Sequence, residues 1–297
     1  MRQHDSSTPG RPFRRRGALV LAGVLGTLAL GGCASGDLRG DASTGWLPHA
    51  VTEGGERVTT LWIGAWITLI GVGLLVIGLI VWCIGAYRRH QDDTELPVQL
   101  RYNIPIEILY TVVPMLMVVV FFYYTARDES ALVDTSKKPD VTINVVGKQW
   151  SWDFNYLDDD VHEVGTQAIL TGEPGAEKTI PTLYLPVGER VEFVLTSRDV
   201  IHSFWVPAFL QKMDIIPGRV NRFQVVPTVE GQFKGKCAEL CGAYHSQMLF
   251  NVKVVSRADY DQHMADLRAA DQTGLLGNTL NREQLMQGQT VPTGGGN

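Results

Sequence analysis

The sequence predicts a two-helix transmembrane hairpin followed by an all-β sandwich outside the membrane. Two uncharged stretches, residues 58–87 and 108–126, are each long enough to cross a bilayer as a helix. From Val141 onward the pattern changes to short runs of Val, Ile, Phe, Tyr and Thr, which Gly and Pro separate. Many short strands with such turn residues are typical of a β-sandwich or a barrel. The net charge of −5 is modest and indicates no particular partner.

Residues 1–32 have the features of a bacterial export signal. Four arginines at positions 11–16 precede an uncharged run that ends at Cys33, and a basic region followed by a short apolar region is the secretory pattern. The small residues before Cys33 resemble a lipobox. We therefore expect residues 1–32 to be removed and Cys33 to be lipidated, at the start of an exported segment 33–57. The alternative is an uncleaved signal anchor with an incidental cysteine.

The charges around the two uncharged stretches set their orientation. The loop between them, residues 88–107, contains three arginines, and short loops rich in Arg and Lys face the cytoplasm. The domain at 127–256 then lies outside the cell. Glu107, at the start of the second span, is a candidate functional residue because a charge beside a span is costly. The alternative is a carboxylate that stays in interfacial water.

Five residues with soft side chains form the strongest chemical signal. Two thiols, two imidazoles and a thioether favour copper, and they are His202, Cys237, Cys241, His245 and Met248. A mononuclear blue-copper site uses one cysteine, whereas two thiolates on one short loop can bridge two copper ions. Each histidine would then bind one ion. Met248 would be a weak ligand of one copper, and the backbone carbonyl of Glu239 would serve the other.

Three alternatives to a copper site each leave some of these five residues without a role or do not match their spacing. Structural zinc accepts two Cys and two His, but its cysteines are more often separated by two residues and it has no use for Met248. A reactive dithiol is usually Cys-x-x-Cys, which differs from the spacing of Cys237 and Cys241. A disulfide would leave both histidines and the methionine without a role.

Three segments together resemble subunit II of cytochrome c oxidase: the loop 237–248, Asp199-Val-Ile-His-Ser, and Lys212-Met-Asp-Ile-Ile-Pro-Gly-Arg219. The resemblance extends over about residues 50–260. It implies a dinuclear copper centre, CuA, in a cupredoxin-like Greek-key sandwich at 127–256. It also implies a place in the cell membrane, with the copper domain on the extracytoplasmic face. The partners that it implies are subunit I, other oxidase subunits and a soluble or membrane-bound cytochrome c, with no nucleic acid.

The resemblance also assigns roles to single residues. Trp150 would be the point of electron entry, and Glu107 would lie near the cytoplasmic mouth of a proton channel. The carboxylate of Glu239 would reach Mg²⁺ at the boundary with subunit I. Many relatives have a second aromatic residue after the tryptophan, where this chain has Ser151. Trp150 is therefore expected to be the only aromatic residue at the entry end of the route.

Docking of a basic cytochrome c would require acidic residues around Trp150. The candidates are Asp153, Asp158, Asp159, Asp160 and Glu163. The alternative is that these charges only form a solvated face. Asp214 and Arg219 would face subunit I, unless they form an internal salt bridge. Beyond the sandwich, residues 257–297 are expected to form one helix and a flexible tail.

Three other classes of protein are consistent with parts of the sequence. A membrane-tethered copper chaperone can have Cys-x3-Cys, but it usually has one anchor helix and places its histidine after the cysteines. The related subunit of a quinol oxidase lacks the copper ligands. Other CuA proteins, such as a nitrous oxide reductase domain, do not account for two membrane spans.

Overall fold

A computed structural model describes residues 40–88, 99–169 and 179–277 of the chain. This part contains two long helices, a β-sandwich and a short C-terminal helix. The predicted signal 1–32 and Cys33 lie outside the described residues. So do the central part of the loop 88–107 and the tail beyond residue 277.

The two long helices are α1, Glu53–Ala86, and α2, Ile104–Leu132, and both are long and apolar enough to cross a membrane. The hydroxyl of Thr52 caps α1 by accepting the N–H of Gly55 at 3.1 Å. Asn103 caps α2, and a proline occupies its first turn, where the missing N–H costs nothing. Both helices continue beyond the uncharged stretches at their outer ends. Hydropathy marks the part that crosses the membrane, whereas a helix continues as long as its backbone hydrogen bonds do.

The sandwich consists of two five-stranded sheets, with strand orders β3-β2-β1-β5-β8 and β4-β10-β9-β6-β7. Pairs β1–β5 and β4–β10 are parallel, and the other neighbours are antiparallel. The strands are β1 Val141–Lys148, β2 Ser151–Tyr156, β3 Val161–Val164, β4 Thr182–Pro186, β5 Val191–Ser197, β6 His202–Val206, β7 Gln211–Ile215, β8 Asn221–Val225, β9 Gly231–Cys237 and β10 Leu249–Val255. The predicted fold class, two apolar helices followed by a β-sandwich, is confirmed.

Aromatic side chains from both sheets fill the space between them. The Trp152 ring of β2 lies edge-on to Phe204 of β6 and Phe250 of β10, with centroids 5.8 and 5.3 Å away. Phe204 and Phe250 stack at 4.9 Å. All three side chains are buried, and edge-to-face and stacked pairs of this kind stabilise a core beyond their buried area. The core therefore extends directly below the end of β6 that carries His202.

The chain before α1 is hydrogen-bonded to the sandwich. The N–H of Val51 donates to the carbonyl of Ala208 at 3.2 Å, and the Val51 carbonyl accepts the N–H of Thr228 at 2.8 Å. Arg57 of α1 and Asp128 of α2 lie 3.8 Å apart, so the start of α1 lies beside the end of α2. The helices are therefore antiparallel, and the sandwich is attached at the end where α1 begins and α2 ends.

The C-terminal helix α3 covers Arg257–Ala269 and packs on the sandwich through one face. The hydroxyl of Ser256 accepts the N–H of Asp259 at its first turn. Its buried residues are Tyr260, Met264 and Leu267, whose i, i+4, i+7 spacing places them on one face of a helix. His263 stacks on Tyr184 of β4 at 3.6 Å.

Candidate metal centre

The five residues with soft side chains come from two neighbouring strands of one sheet and from the loop that follows one of them. Cys237 ends β9, the loop after it carries the next three residues of the set, and β10 begins directly after Met248. His202 begins β6, which pairs with β9 so that Phe204 lies opposite Cys237. The loop therefore connects two paired strands at the edge where the third strand presents its histidine. The pairing brings together residues that are 35 positions apart in sequence.

Each histidine of the cluster lies beside a different sulfur. The two Sγ atoms of Cys237 and Cys241 are 3.8 Å apart. Nδ1 of His202 lies 3.9 Å from Sγ of Cys237, and Nδ1 of His245 lies 3.5 Å from Sγ of Cys241. The Sδ atom of Met248 lies 3.7 Å from Sγ of Cys241. The cluster is thus two thiols at the centre, with one imidazole on each side.

The carbonyl of Glu239 also belongs to this cluster. It lies 3.2 Å from Sγ of Cys237, whereas Met248 contacts the other thiol, Cys241. Its carboxylate side chain belongs to an exposed residue. Glu239 therefore presents a backbone oxygen to the cluster and leaves its carboxylate on the surface.

The cluster is buried on its inner side and accessible on its outer side. His202 and Met248 have no exposed surface, and both cysteines are buried. His245 is half-buried, and its neighbours Tyr244 and Ser246 are exposed. The histidine on the loop therefore marks the side from which a partner can approach.

The two thiols differ in acidity because they share one site. Burial opposes ionisation of Cys237, but hydrogen bonding to the His202 ring lowers the pKa of this thiol to about 7. Burial and the neighbouring Cys237 thiolate raise the pKa of Cys241. The pair without metal therefore releases one proton readily and retains the second, because two thiolates repel each other at this distance.

Asp199 orients the buried histidine. Its Oδ1 lies 2.8 Å from Nε2 of His202, and its Oδ2 accepts the N–H of Gln149 at 2.7 Å. Although burial opposes it, the hydrogen bond from His202 and those from backbone N–H groups lower the pKa of Asp199. With one proton held on Nε2, Nδ1 faces Cys237, and its lone pair becomes available to a metal ion once Nδ1 carries no proton. A carboxylate behind a ligating histidine is the usual way in which proteins fix this tautomer.

Trp150 lies against the loop of the cluster. Its Nε1–H donates to the carbonyl of Cys241 at 3.2 Å, and the side-chain amide of Gln149 donates to the same oxygen at 2.8 Å. The ring is half-buried. One hydrogen bond therefore connects the tryptophan of β1–β2 to the backbone of a cysteine in the cluster.

The expectation that Trp150 is the only aromatic residue at this end is wrong. The ring of Tyr244 lies edge-on to it, with centroids 4.9 Å apart and planes at 77°. Tyr244 comes from the metal loop and not from the strand of Trp150, so the absence of an aromatic residue at Ser151 did not reveal it. The position of Tyr244 directly before His245 was the available signal.

Two glycines leave room for the rings of His202 and Trp150, and the sequence analysis identified neither glycine. A Cβ atom on Gly147 would lie 2.9 Å from the His202 ring, and a Cβ atom on Gly242 would lie 3.1 Å from the Trp150 ring. Gly242 also has φ of +126°, a conformation that side chains disfavour. Both positions therefore require glycine because an aromatic ring occupies the adjacent space.

The acidic residues considered for docking do not surround Trp150. Asp153 is only 1% exposed, and Lys148 at 2.6 Å and Arg198 at 3.3 Å neutralise it. Residues 158–160 form the turn after β2. With about 3.3 Å of rise per residue, the length of β2 places this turn about 20 Å from Trp150. The expected acidic surface is therefore not formed, because a strand separates residues that are close in sequence.

Three of the four remaining acidic residues of that set have side-chain partners in the fold. Asp158 accepts the N–H of Thr142 at 2.6 Å, and Glu163 accepts the N–H of Thr182 at 2.8 Å. Asp159 forms a salt bridge of 3.0 Å with Arg268 in α3. These contacts connect the β2–β3 turn and β3 to neighbouring elements, which gives the charges a role in the fold.

Three predicted residues lie apart from the cluster. Asp214 and Arg219 are both exposed, and no ion pair joins these two described residues, so the internal salt bridge is not formed. Glu107 lies in the first turn of α2, where its carboxylate accepts the N–H of Asn103 at 3.0 Å. This bond gives Glu107 a local role at the helix start.

The donor set fits copper better than the alternatives. His202, Cys237 and Cys241 place their ligand atoms within 4.8 Å of one another, and Met248 adds a buried thioether beside them. A structural zinc ion would use four of these groups around a single centre and would leave the thioether without a function. Copper uses thiolate, imidazole and thioether ligands together.

Comparisons with known proteins give a consistent result. A family model described as cytochrome c oxidase subunit II, periplasmic domain, matches residues 141–255. A probable cytochrome c oxidase subunit 2 of Streptomyces avermitilis is 48% identical over 299 residues, with 91% of this chain and 92% of the relative covered. The cytochrome c oxidase subunit 2 of Mycobacterium tuberculosis is 35% identical, with 88% and 84% covered. The crystal structure of the periplasmic domain of subunit II of cytochrome oxidase of Bradyrhizobium japonicum is 30% identical. It matches 45% of this chain and 97% of that chain, with a TM-score of 0.41.

Proposed function

Because this chain belongs to the family of cytochrome c oxidase subunit II, we propose that it is the electron-entry subunit of such an oxidase. Cys237 and Cys241 would bridge two copper ions as CuA, which would receive single electrons from a cytochrome c outside the membrane. The electrons would continue to haem in subunit I, where oxygen is reduced to water and protons are pumped. This chain has no Cys-x-x-Cys-His haem motif, so the oxygen chemistry belongs to subunit I.

The observation that carries the proposal is the distribution of the two histidines over the two sulfurs. Nδ1 of His202 faces Cys237 and Nδ1 of His245 faces Cys241, with 3.8 Å between the sulfur atoms. A mononuclear site would gather the ligands around one point. Two sulfurs at the centre with one imidazole on either side instead suit two ions that share both thiolates.

Two copper ions held by these residues would supply one-electron exchange with little movement of their ligands. The residues themselves supply the rigidity. His202 is fixed by Asp199, both cysteines are buried, and the backbone carbonyl of Met248 accepts the N–H of Cys237 at 3.0 Å. A site whose ligands are oriented by further hydrogen bonds keeps its geometry, which favours fast electron transfer.

Trp150 would connect the donor to this site. Its indole N–H reaches the Cys241 carbonyl at 3.2 Å, and its ring is half-buried at the surface. A ring that is exposed on one side and hydrogen-bonded to a ligand residue on the other provides a short covalent and hydrogen-bonded path. We therefore assign electron entry to Trp150.

The boundary with subunit I would lie on another part of the surface. Glu239 presents a carbonyl to the cluster and an exposed carboxylate to its surroundings, and a hard carboxylate oxygen suits Mg²⁺. Asp214 and Arg219 are exposed and form no ion pair with each other within the described part of the chain, so they would be available to subunit I.

The chain is a membrane protein whose copper domain lies on the extracytoplasmic face. Its two apolar helices and its membership in the family support this location. The loop 88–107 would be cytoplasmic, with Glu107 near the mouth of a proton channel of subunit I. Lipidation of Cys33 would add a third attachment to the membrane of a multi-pass chain.

The number of copper ions tests the proposal in the purified oxidase. We expect two copper ions per chain at this site and an unpaired electron with hyperfine coupling to two equivalent copper nuclei. Cys237→Ser and Cys241→Ser should both abolish that spectrum. Cys83→Ser is the matched control, because Cys83 is an exposed free cysteine of α1, and it should leave the spectrum unchanged. Coupling to one nucleus, or a site that holds zinc and refuses copper, would falsify the proposal.

A further inference from the structure

Two cavities adjoin where the long helices meet the sandwich. The outer cavity has a volume of about 610 Å³ and lies between the start of α1, the end of α2 and strands β7 and β8. The inner cavity, of about 570 Å³, is a groove between the two helices. Thr60, Arg127 and Asp128 line both. Each volume is in the range of ligand sites, so one ligand can occupy the two cavities together.

The two cavities differ in their chemistry. The charged side chains that line the outer cavity are Glu53, Glu56, Arg57, Arg127, Asp128, Asp134, Lys137 and Arg190. Apart from the shared Arg127 and Asp128, the groove is lined by uncharged residues of both helices, such as Leu61 and Gly64. At 1.5 Å of rise per residue, Gly64 lies about 10 Å along α1 from Arg57. A ligand that fills both cavities therefore needs a charged head and an apolar tail.

Two arginines share one carboxylate where the cavities adjoin. Asp128 is buried, and its Oδ1 accepts the Nε–H of Arg127 at 2.9 Å and lies 3.8 Å from a guanidinium nitrogen of Arg57. The Arg127 guanidinium also lies over the Tyr124 ring, 5.0 Å from its centroid. One carboxylate neutralises only one of the two guanidiniums, so a positive charge remains. A guanidinium presents several N–H donors in one plane, an arrangement that suits a phosphate group.

Gln224 contributes an acceptor without a donor to the outer cavity. Its side chain is 7% exposed, and its Nε2 donates to the carbonyl of Lys137 at 2.9 Å and to the carboxylate of Glu192 at 3.1 Å. These acceptors fix the orientation of the amide. Its Oε1 is buried and accepts no hydrogen bond from any residue that the structure describes. A buried acceptor without a donor is costly, so a ligand with an N–H group would stabilise this site.

The charge balance of the outer cavity indicates the kind of head that it accepts. Four of its charged side chains are acidic and four are basic. A head with net negative charge would be repelled by Glu53 and Glu56. A zwitterionic head has a phosphate for Arg57 and Arg127 and a cation for the two glutamates. A primary ammonium can also donate an N–H to Gln224, whereas a trimethylammonium cannot.

We propose that the two cavities bind one phosphatidylethanolamine molecule of the outer leaflet. Its phosphate lies on Arg57 and Arg127, its ammonium donates to Oε1 of Gln224, and one acyl chain follows the groove between α1 and α2. The leaflet follows from the extracytoplasmic position of the sandwich. Because the outer cavity is lined by both helices and by the sandwich, the bound lipid connects the membrane part to the copper domain. The inference does not depend on the metal or on the electron route.

Photo-crosslinking in the intact oxidase tests the site directly. The probe is a phosphatidylethanolamine with a diazirine in one acyl chain, in phosphatidylcholine nanodiscs that contain the oxidase. Mass spectrometry of the peptides should place crosslinks at residues 60–68 and 113–124. Excess unlabelled phosphatidylethanolamine should suppress them. Phosphatidylglycerol, with its net negative charge, and added phosphatidylcholine, with no N–H group, should compete several-fold less well.

Soluble phosphoethanolamine distinguishes a lipid from a free phosphate ester. It has the same phosphate and ammonium but no acyl chain, so it should not suppress the crosslinks at concentrations where the lipid does. Effective competition by phosphoethanolamine would assign the outer cavity to a small soluble ligand and would overturn the lipid assignment.

Arg57→Gln tests the head of the site. Loss of a charged hydrogen-bond donor should lower the crosslink yield about tenfold at subsaturating probe. The buried Asp128 keeps its contact with Arg127, so the helix ends remain paired. Lys138→Gln is the matched control, because Lys138 is an exposed cation next to Lys137 that does not line the cavity. Its yield should equal that of the wild type.

Gly64→Leu tests the groove. A Cβ atom on Gly64 would meet no described atom within 4 Å, so the larger side chain enters open space and should exclude the acyl chain. Gly78→Leu is the matched control, because Gly78 is equally open but lies farther along α1 from the cavities. Crosslinks at 60–68 and 113–124 should disappear in Gly64→Leu and remain in Gly78→Leu.

Three results would overturn the inference. They are an absence of crosslinks from both ranges, a wild-type yield in Arg57→Gln, and chemical crosslinks that show subunit I filling the groove. If Gly64→Leu prevents assembly of the oxidase, Arg57→Gln decides the matter, because it changes only a side chain at the head of the site. The copper spectrum of each variant shows separately whether the proposed function holds.

Discussion

The carboxylate of Asp199 lies 2.8 Å from Nε2 of His202, and its second oxygen accepts the N–H of Gln149, the residue before Trp150. One side chain therefore connects a buried ligand of the proposed copper site to the segment that carries the proposed electron entry residue. The His202 ring has no exposed surface, so on the histidine side this bond is shielded from solvent. Asp199 thus sets the ring orientation and the position of the Trp150 strand end together.

Asp199→Asn should weaken copper binding without unfolding the domain. An amide can accept the His202 N–H through its oxygen, but its NH₂ group would then face the N–H of Gln149. Loss of such a carboxylate behind a ligand typically costs about 10–100-fold in metal affinity. Competition with a chelator measures the change in the full-length chain. Glu230→Gln is the charge-matched control, since Glu230 is exposed and far from the cluster, and equal affinity in both variants would contradict the role.

Copper affinity should rise with pH, because the bound thiols must lose their protons. The pKa of Cys237 is lowered to about 7 mainly by its contact with His202, against the effect of burial. Burial and the Cys237 thiolate raise the pKa of Cys241, so this thiol still carries its proton at neutral pH. Above pH 7 binding should release about one proton and gain about tenfold in affinity per pH unit.

Below pH 7 the dependence should be steeper. Cys237 is then protonated as well, and hydrogen bonding to Asp199 raises the pKa of His202 despite its burial, so this ring also takes up a proton that copper must displace. Chelator competition between pH 6 and 8.5, with a chelator of known proton affinity, measures the slope. An affinity that is independent of pH would show that the thiols are not the ligands.

The sequence predicted the helices and the local half of the site because both depend on residues close in sequence. The Cys-x3-Cys-x3-His-x2-Met spacing lies on one loop, and the structure brings all four residues together. His202 is different, since only the pairing of β6 with β9 brings it to Cys237. Its inclusion in the predicted site depended on the ligand chemistry of its imidazole, because no spacing relates it to the loop.

The features that the sequence did not predict depend on strand geometry. Asp153 and the turn 158–160 follow Trp150 closely in sequence. Yet β2 is buried along its whole length, Asp153 included, and the length of this strand carries the turn away from Trp150. Tyr244 approaches Trp150 from another strand connection, and Gly147 of β1 matters because of the His202 ring in β6, a strand of the other sheet. Contacts between strands are set by register, which composition and spacing do not reveal.

The start of the mature chain is predicted to be a lipidated Cys33. Mass spectrometry of the mature chain should show loss of residues 1–32 and acyl chains on the cysteine. Cys33→Ala should prevent lipidation, but the variant should remain in the membrane because α1 and α2 are both long and apolar enough to span it. Detection of the original Met1 in active oxidase would support the signal-anchor alternative instead.

Met248→Leu should raise the reduction potential of the copper site while copper stays bound. The methionine is fully buried, with Sδ at 3.7 Å from Sγ of Cys241. Its backbone carbonyl accepts hydrogen bonds from Cys237 and from the Trp152 indole, and a side-chain substitution leaves both in place. Leucine nearly conserves the volume, so the change removes a weak neutral donor and little else.

Loss of a donor favours Cu(I), because a thioether tunes the potential of copper more than it holds the metal. Turnover should then fall, since a more oxidising centre passes its electron to haem less readily. For a one-electron couple, a shift of about 59 mV in the reduction potential changes the equilibrium constant tenfold.

Met264→Leu is the matched control, because Met264 is equally buried but lies in α3, and it should leave the potential unchanged. Redox titration of the three oxidases measures the shift. An unchanged potential in Met248→Leu would mean that Met248 is not a ligand, and complete loss of copper would mean that it holds the metal.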